Sequence, residues 1–228
     1  MIARLRDRLD ATTGLPVAVV LLAGLTTASL LDDVREGGDL AALDQPTLTW
    51  VLAHRLPVLT TLMTTVSLVG GEVVMSAIAA GTVAVLAWRR RYSQALVLGG
   101  ALALAEGPSV VVKHVVGRSR PPASAVIGPV EHTLSFPSGH TIGTAAFALA
   151  VAYLWWRARP GLGRAVLGLA AAGVATALMA ASRLYLADHW LTDVLASTAL
   201  AAGVTAVVVL VDQRWRRAHP SDAAATAP

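Results

Sequence analysis

Two of the six histidines in this 228-residue chain have charged neighbours at spacings that could do chemistry. His189 lies four residues before Asp193, at the end of a segment that opens with Ser182 and Arg183. If a helix begins near His189, the two side chains stack on one face. The carboxylate can then hold one ring nitrogen while the other stays free to attack or to take a proton. A His and an Asp at that spacing also describe a structural pair or two ligands of a metal, so the pair alone decides nothing. His140 closes the step Pro137-Ser138-Gly139-His140 at the head of an apolar run. A helix starting at Ser138 would aim its unpaired N–H groups outward, and Gly139 would let an anion come close to the backbone. A capped helix with a histidine at an interface reads the same way. Lys113, the sole lysine, stands seven residues before Arg120, and Arg183 stands six before His189. A nucleophile, an acid and fixed cations suit phosphoryl transfer, where positioning and neutralisation of the equatorial oxygens do most of the catalysis.

The elements that must position these groups are membrane helices. With 55% apolar and 14% charged residues and a mean hydropathy of +0.64, the chain has more apolar surface than one soluble core can hide. Six runs approach the ~20 residues that cross a bilayer. They are Leu15 to Leu31, Pro57 to Trp88 (overlong and interrupted at Gly70 and Gly71), Ala95 to Val112, Gly139 to Trp156, Ala165 to Ala181 and Trp190 to Val211. None alternates with period two, so a barrel is excluded and the expected fold is all-α, a six-transmembrane-helix bundle. The first run also fits a cleaved signal peptide, but its 17 residues exceed an h-region of ~7–15.

Twelve of the eighteen Lys and Arg residues fall at Arg4, Arg6, Arg8, Arg89 to Arg91, Arg157, Arg159, Arg164, Arg214, Arg216 and Arg217. If the spans alternate, all twelve lie on one side, which is then cytoplasmic, with both termini inside a multi-pass protein of the cell (inner) membrane. Lys113, Arg118, Arg120 and Arg183 fall instead in two outward segments, where topology gives them no reason to be. The net charge of +4 does not point to nucleic acid, because the cations are not gathered on one face among stacking aromatics. The chain has no cysteine, so thiolate metal sites and disulfides are excluded. Residues 1–217 read as one domain and 218–228 as a short disordered cytoplasmic tail. Asp32 to Arg55 reads as an outer loop with a short interfacial helix near Leu48 to Ala53. Arg118 suits either an indirect role behind the residues that touch phosphate or a lipid headgroup. Glu106, an acid inside the third span seven residues before Lys113, suits a polar interior pair or a water cavity. Glu72 most simply marks the start of a helix.

Taken in order, Lys113-x6-Arg120-Pro121, Pro137-Ser138-Gly139-His140 and Ser182-Arg183-x5-His189-x3-Asp193 resemble the three-part signature of the type 2 phosphatidic acid phosphatase superfamily, which also includes vanadium haloperoxidases. The resemblance implies that His189 attacks phosphorus to form a phosphohistidine, that Asp193 orients it, and that His140 protonates the leaving oxygen. It implies that Lys113, Arg120 and Arg183, with the Ser138 hydroxyl and the Gly139 N–H, hold the phosphate. It also implies a site at the non-cytoplasmic ends of helices 3 to 6, facing the periplasm or exterior, with no metal and no cofactor. The partners are the bilayer and a membrane lipid: undecaprenyl diphosphate, phosphatidic acid or phosphatidylglycerol phosphate. Ser197 departs from the glycine common in relatives, for which only a slight effect on helix packing is expected. A phosphate-binding transporter would place its binding elements near mid-membrane, and a silent scaffold would need none of these side chains.

Overall fold

The computed structural model describes residues 2–220, with side chains from residue 13 onward. Regular structure among the described residues is entirely helical. The helices are α1 (Ile2–Glu36), α2 (Asp44–Ala53), α3 (Pro57–Val69), α4 (Glu72–Trp88), α5 (Tyr92–Val116), α6 (Gly139–Ala158), α7 (Leu162–Tyr185) and α8 (Leu191–Ala218). Residues 221–228, most of the expected tail, lie outside the described residues.

Packing follows the logic of lipid as solvent, in which large apolar side chains gain nothing by leaving the outer surface and close helix approach needs small ones. The interior is built from Ala101, Ala105, Ala145, Ala146, Ala150, Ala196 and Ala201, all nearly fully buried. Leu21, Leu25, Val73, Leu162, Leu167 and Leu169 face outward, each more than half exposed. α6 is the central helix and packs against α5, α7 and α8, while α1 lies along α8 as a full member of the bundle.

By length and composition, four helices among the described residues are apolar enough to cross a membrane, and five if one bent pair counts as a span; the sequence led to an expectation of six. α6 falls outside that set because its first turn carries His140 and Thr141 and its end carries Trp155, Trp156 and Arg157, and a helix sheathed by its neighbours has little need of lipid-facing hydropathy. The overlong second run is two helices, α3 and α4, bent by 45° at Gly70 and Gly71. A Cβ on Gly70 would stand 1.8 Å from the methyl of Met179, which would have to swing aside to admit it. The interfacial helix is present as α2, longer than expected at ten residues.

Candidate active site

Local sequence brings the two halves of the site to one end of the bundle. α5 stops at Gly117, whose left-handed φ of 65° turns the chain out into Arg118-Ser119-Arg120. α7 stops at Ala187, also left-handed at φ 61°, an uncommon conformation for a residue with a Cβ. That turn delivers Asp188 and His189 to the mouth of α8. Ser138 caps α6, its hydroxyl accepting from the Thr141 N–H at 3.4 Å.

His189 is 2% exposed, and its ring is bracketed. Nδ1 lies 3.3 Å from Asp193 Oδ2, and Nε2 lies 3.1 Å from Arg120 Nη1. Since Arg120 can only donate, the neutral ring carries its proton on Nδ1 and its lone pair on Nε2, where it accepts from Arg120. Burial, aided by Arg120 and Arg183, lowers the His189 pKa to about 4 against the opposing pull of Asp193. The imidazole is therefore neutral at pH 7.

Asp193 is wholly buried and saturated with donors. Oδ1 accepts from Arg118 at 2.6 Å, and Oδ2 accepts from the Trp190 N–H at 2.9 Å and from the Ser135 hydroxyl. Arg118 thus reaches the site through Asp193. Its guanidinium spans Asp193 and Asp44, and Asp44 in turn accepts from the Thr192 N–H at 2.9 Å, locking α2 to the first turn of α8.

A cavity of about 990 Å³ opens beside this cluster, lined by Lys113, Glu131, Gly139, His140, Arg183 and Asp188, and deeper by Glu72 and Glu106. It stops short of His189 and Arg120. Glu131 stands between: Oε1 meets Arg183 Nη2 at 2.7 Å and Oε2 meets Arg120 Nη2 at 2.6 Å, so one carboxylate bridges two guanidiniums as a phosphate would. Burial works to raise the Glu131 pKa, but Arg183 and Arg120 together outweigh it and the net shift is downward. Asp188, 3.2 Å from Arg183, is pushed up to about 6 by burial, which Arg183 opposes. Arg183 also donates to Ser67 at 2.6 Å, and its buried Nε has no partner among the described residues. Lys113 Nζ donates to the Leu134 carbonyl at 3.3 Å.

Of the residues singled out from sequence, Lys113, Glu106, Gly139, His140 and Arg183 line the cavity, and Arg120, His189 and Asp193 lie directly behind it. Ser138 does not reach it. Its hydroxyl oxygen accepts from the Thr141 N–H and hydroxyl, and its N–H donates to Ser197 Oγ at 2.8 Å. Ser197 therefore does more than adjust packing, because it ties α8 to the start of α6. Glu131, Ser135, Asp44, Ser67 and Asp188 went unread. Glu131 carried the one available signal, as the sole carboxylate in an outer segment with three cations. Asp44 and Ser67 reach their partners only through long-range packing.

A helical membrane bundle with a carboxylate-held neutral histidine behind a cavity walled by Lys113 and Arg183 has the makeup of an integral membrane phosphatase. The chain belongs to the PAP2 superfamily, whose family model matches residues 94–217. It is 35% identical over 136 residues to the decaprenylphosphoryl-5-phosphoribose phosphatase of Mycobacterium tuberculosis, a match covering 59% of this chain and 70% of that protein. The solved PAP2-type phosphatidylglycerolphosphate phosphatase of Bacillus subtilis superposes with a TM-score of 0.71 at 25% identity, covering 89% of this chain and 98% of that one. Aquifex aeolicus LpxE shares the fold, with a TM-score of 0.57 at 18% identity over 74% of this chain and 95% of that one. The protein is a multi-pass membrane phosphatase of this family.

Proposed function

We propose that the protein hydrolyses the phosphate ester or diphosphate of a membrane lipid by way of a phosphohistidine. The observation that carries this reading is the bracketed, neutral His189, with Asp193 on one ring nitrogen and the other at the edge of the cationic pocket. The substrate phosphate displaces the Glu131 carboxylate and takes its place between Arg120 and Arg183, with Lys113 and the Gly139 N–H completing the cradle. His189 Nε2 attacks phosphorus, forming the N–P bond as the P–O bond to the leaving alcohol or phosphate breaks. His140, neutral in the resting site, takes up a proton when the anionic phosphate enters beside it, and donates that proton to the leaving oxygen. A water then attacks the phosphohistidine, giving its proton back to His140 and releasing inorganic phosphate.

Asp193 neutralises the imidazolium-like intermediate, and Arg118 with Ser135 holds that carboxylate in place. Three fixed cations supply the charge neutralisation, so the reaction is proposed to need no metal. The contacts of Arg157 and Ser93 with Asp212 bring the ends of α5, α6 and α8 together opposite the site, where the arginine-rich loops lie. That asymmetry supports a cytoplasmic face there and a site open to the periplasm or exterior. The name of the mycobacterial relative supports a polyprenyl-linked substrate, and that of the Bacillus protein a glycerolipid phosphate.

The test is phosphate release from polyprenyl and glycerolipid phosphates in detergent, with a chelator present. Activity that survives chelation and yields an acid-labile, alkali-stable phosphoprotein lost in His189→Ala supports the reading. Turnover abolished by chelation overturns its metal independence, and no phosphoprotein on rapid quench overturns the intermediate.

A further inference from the structure

The bend between α3 and α4 opens a second feature that catalysis at phosphorus does not use. α3 packs on α7, but beyond Gly70 and Gly71 the chain turns 45° and α4 packs on α5 and α6 instead. The gap left between α4 and α7, with α6 as its floor, is a groove of about 520 Å³. Its lining runs from Met75 and Thr144 at one end to Trp155 and Leu167 at the other and is almost wholly apolar.

The groove continues the catalytic faces of the helices that form it. On α6, His140, Thr144, Ala148, Val151 and Trp155 follow one another at spacings of four, four, three and four, so the stripe bearing His140 becomes the groove floor. On α4, Glu72 lines the cavity and Met75, one turn on, lines the groove. Where the two meet, a Cβ on Gly71 would come 3.8 Å from His140 Nε2, and the Met179 methyl fills the notch at Gly70. Methionine, unbranched and flexible, is suited to yield to a passing chain. From Thr144 to Trp155 the groove runs ~17 Å along α6, more than half of an ~30 Å hydrocarbon slab.

Resting on the proposed phosphatase reading, we infer that a hydrocarbon chain of the substrate's leaving group lies in the groove between α4 and α7, entering past Gly70 and Gly71. Direction supports this assignment. The acid that protonates the leaving oxygen faces the Gly70–Gly71 break, and the leaving group is the part of the molecule that bears the lipid. A chain leaving His140 on that side meets the head of the groove within one helical turn. The substrate is therefore a lipid with one chain held by protein, and shortening that chain costs turnover.

The test compares monoalkyl phosphates of six and sixteen carbons, in mixed micelles, on the wild type and on Ala148→Phe and Ala171→Phe, which place a ring in the open groove from two different helices. The ratio of kcat/KM for the long over the short ester is expected to fall roughly tenfold in both variants, the factor that corresponds to 1.4 kcal/mol. An unchanged ratio overturns the inference, as does an equal loss on both esters. Independently, a sixteen-carbon phosphate with a photoreactive terminal carbon should crosslink to residues 148–155 or 167–171, and excess unlabelled ester should suppress that labelling. Labelling between α4 and α5, at Val73 or Val110, overturns the assignment, and so does groove labelling that excess ester leaves intact, since bulk lipid would then fill it. Hydrolysis of the six-carbon ester survives either failure, whereas its absence strikes the phosphatase reading itself.

Discussion

The bundle buries two ionic clusters, one at each end, and they differ in what they leave unfinished. At the arginine-rich end Asp212 accepts from Arg157 at 2.7 Å and Ser93 at 3.2 Å on one oxygen and from Tyr153 at 2.6 Å on the other. That cluster closes on itself between α5, α6 and α8 and borders neither cavity described above. At the other end Arg120 and Arg183 share Glu131, Arg183 keeps an Nε with no partner among the described residues, and a cavity of about 990 Å³ with Lys113 in its wall lies alongside. Burial and ion pairing are common to both. Spare donors and access for an anion distinguish a site from a brace.

The most severe way to test that contrast is to remove the nucleophile. His189→Ala should lower phosphate release of order 10⁴-fold or more, with thermal unfolding in detergent little changed, and Asp193→Asn should cost about a hundredfold less because a misoriented imidazole still exists. Equal and complete loss in both would count against an orienting role for Asp193. The brace should behave in the opposite way. Asp212→Ala strands Arg157 without its counter-charge and should destabilise the fold by about 3 kcal/mol, read as a lower unfolding temperature, while activity per folded molecule holds. A dead but stable Asp212→Ala protein would erase the distinction.

A smaller effect is expected at Glu131, which competes with the incoming anion. Glu131→Gln should tighten inhibition by inorganic phosphate roughly tenfold, or 1.4 kcal/mol. Weaker inhibition would instead make Glu131 part of the productive cradle. The mildest is a pH effect. Asp188 is charged above about 6 and holds Arg183; as pH falls through that value it is neutralised and frees the guanidinium. KM for an anionic lipid should therefore drop by a few-fold on going from pH 7 to 5, and Asp188→Asn should flatten that step. His189, with a pKa of about 4, stays neutral across the whole window.

Local signals explain what could be read from the chain. Apolar runs announced membrane helices, and the Pro-Ser-Gly-His step announced the start of α6, because caps and periodicity act within one or two turns. Arg118 resisted reading, since one arginine two residues from another carries no mark of which partner it will meet. Its partners, Asp44 and Asp193, are 74 and 75 residues away. Glu72 looked like a helix start, which it is, yet its carboxylate also stands where a Cβ on Gly139 would come within 2.7 Å. Hydropathy alone does not single out α6 as a span, because it reports contact with lipid and a central helix has little.

By itself the amino-acid sequence determined an all-helical membrane protein of the PAP2 superfamily and the identities of the groups that could handle phosphate, because lipid solvation and residue chemistry are properties of short segments. Tertiary structure alone decided that Glu131 occupies the space between Arg120 and Arg183, that Arg118 serves Asp193, and that the bend at Gly70 and Gly71 opens a groove beside His140. Each of those depends on how far apart packed helices stand, and that distance is set by side chains remote in sequence.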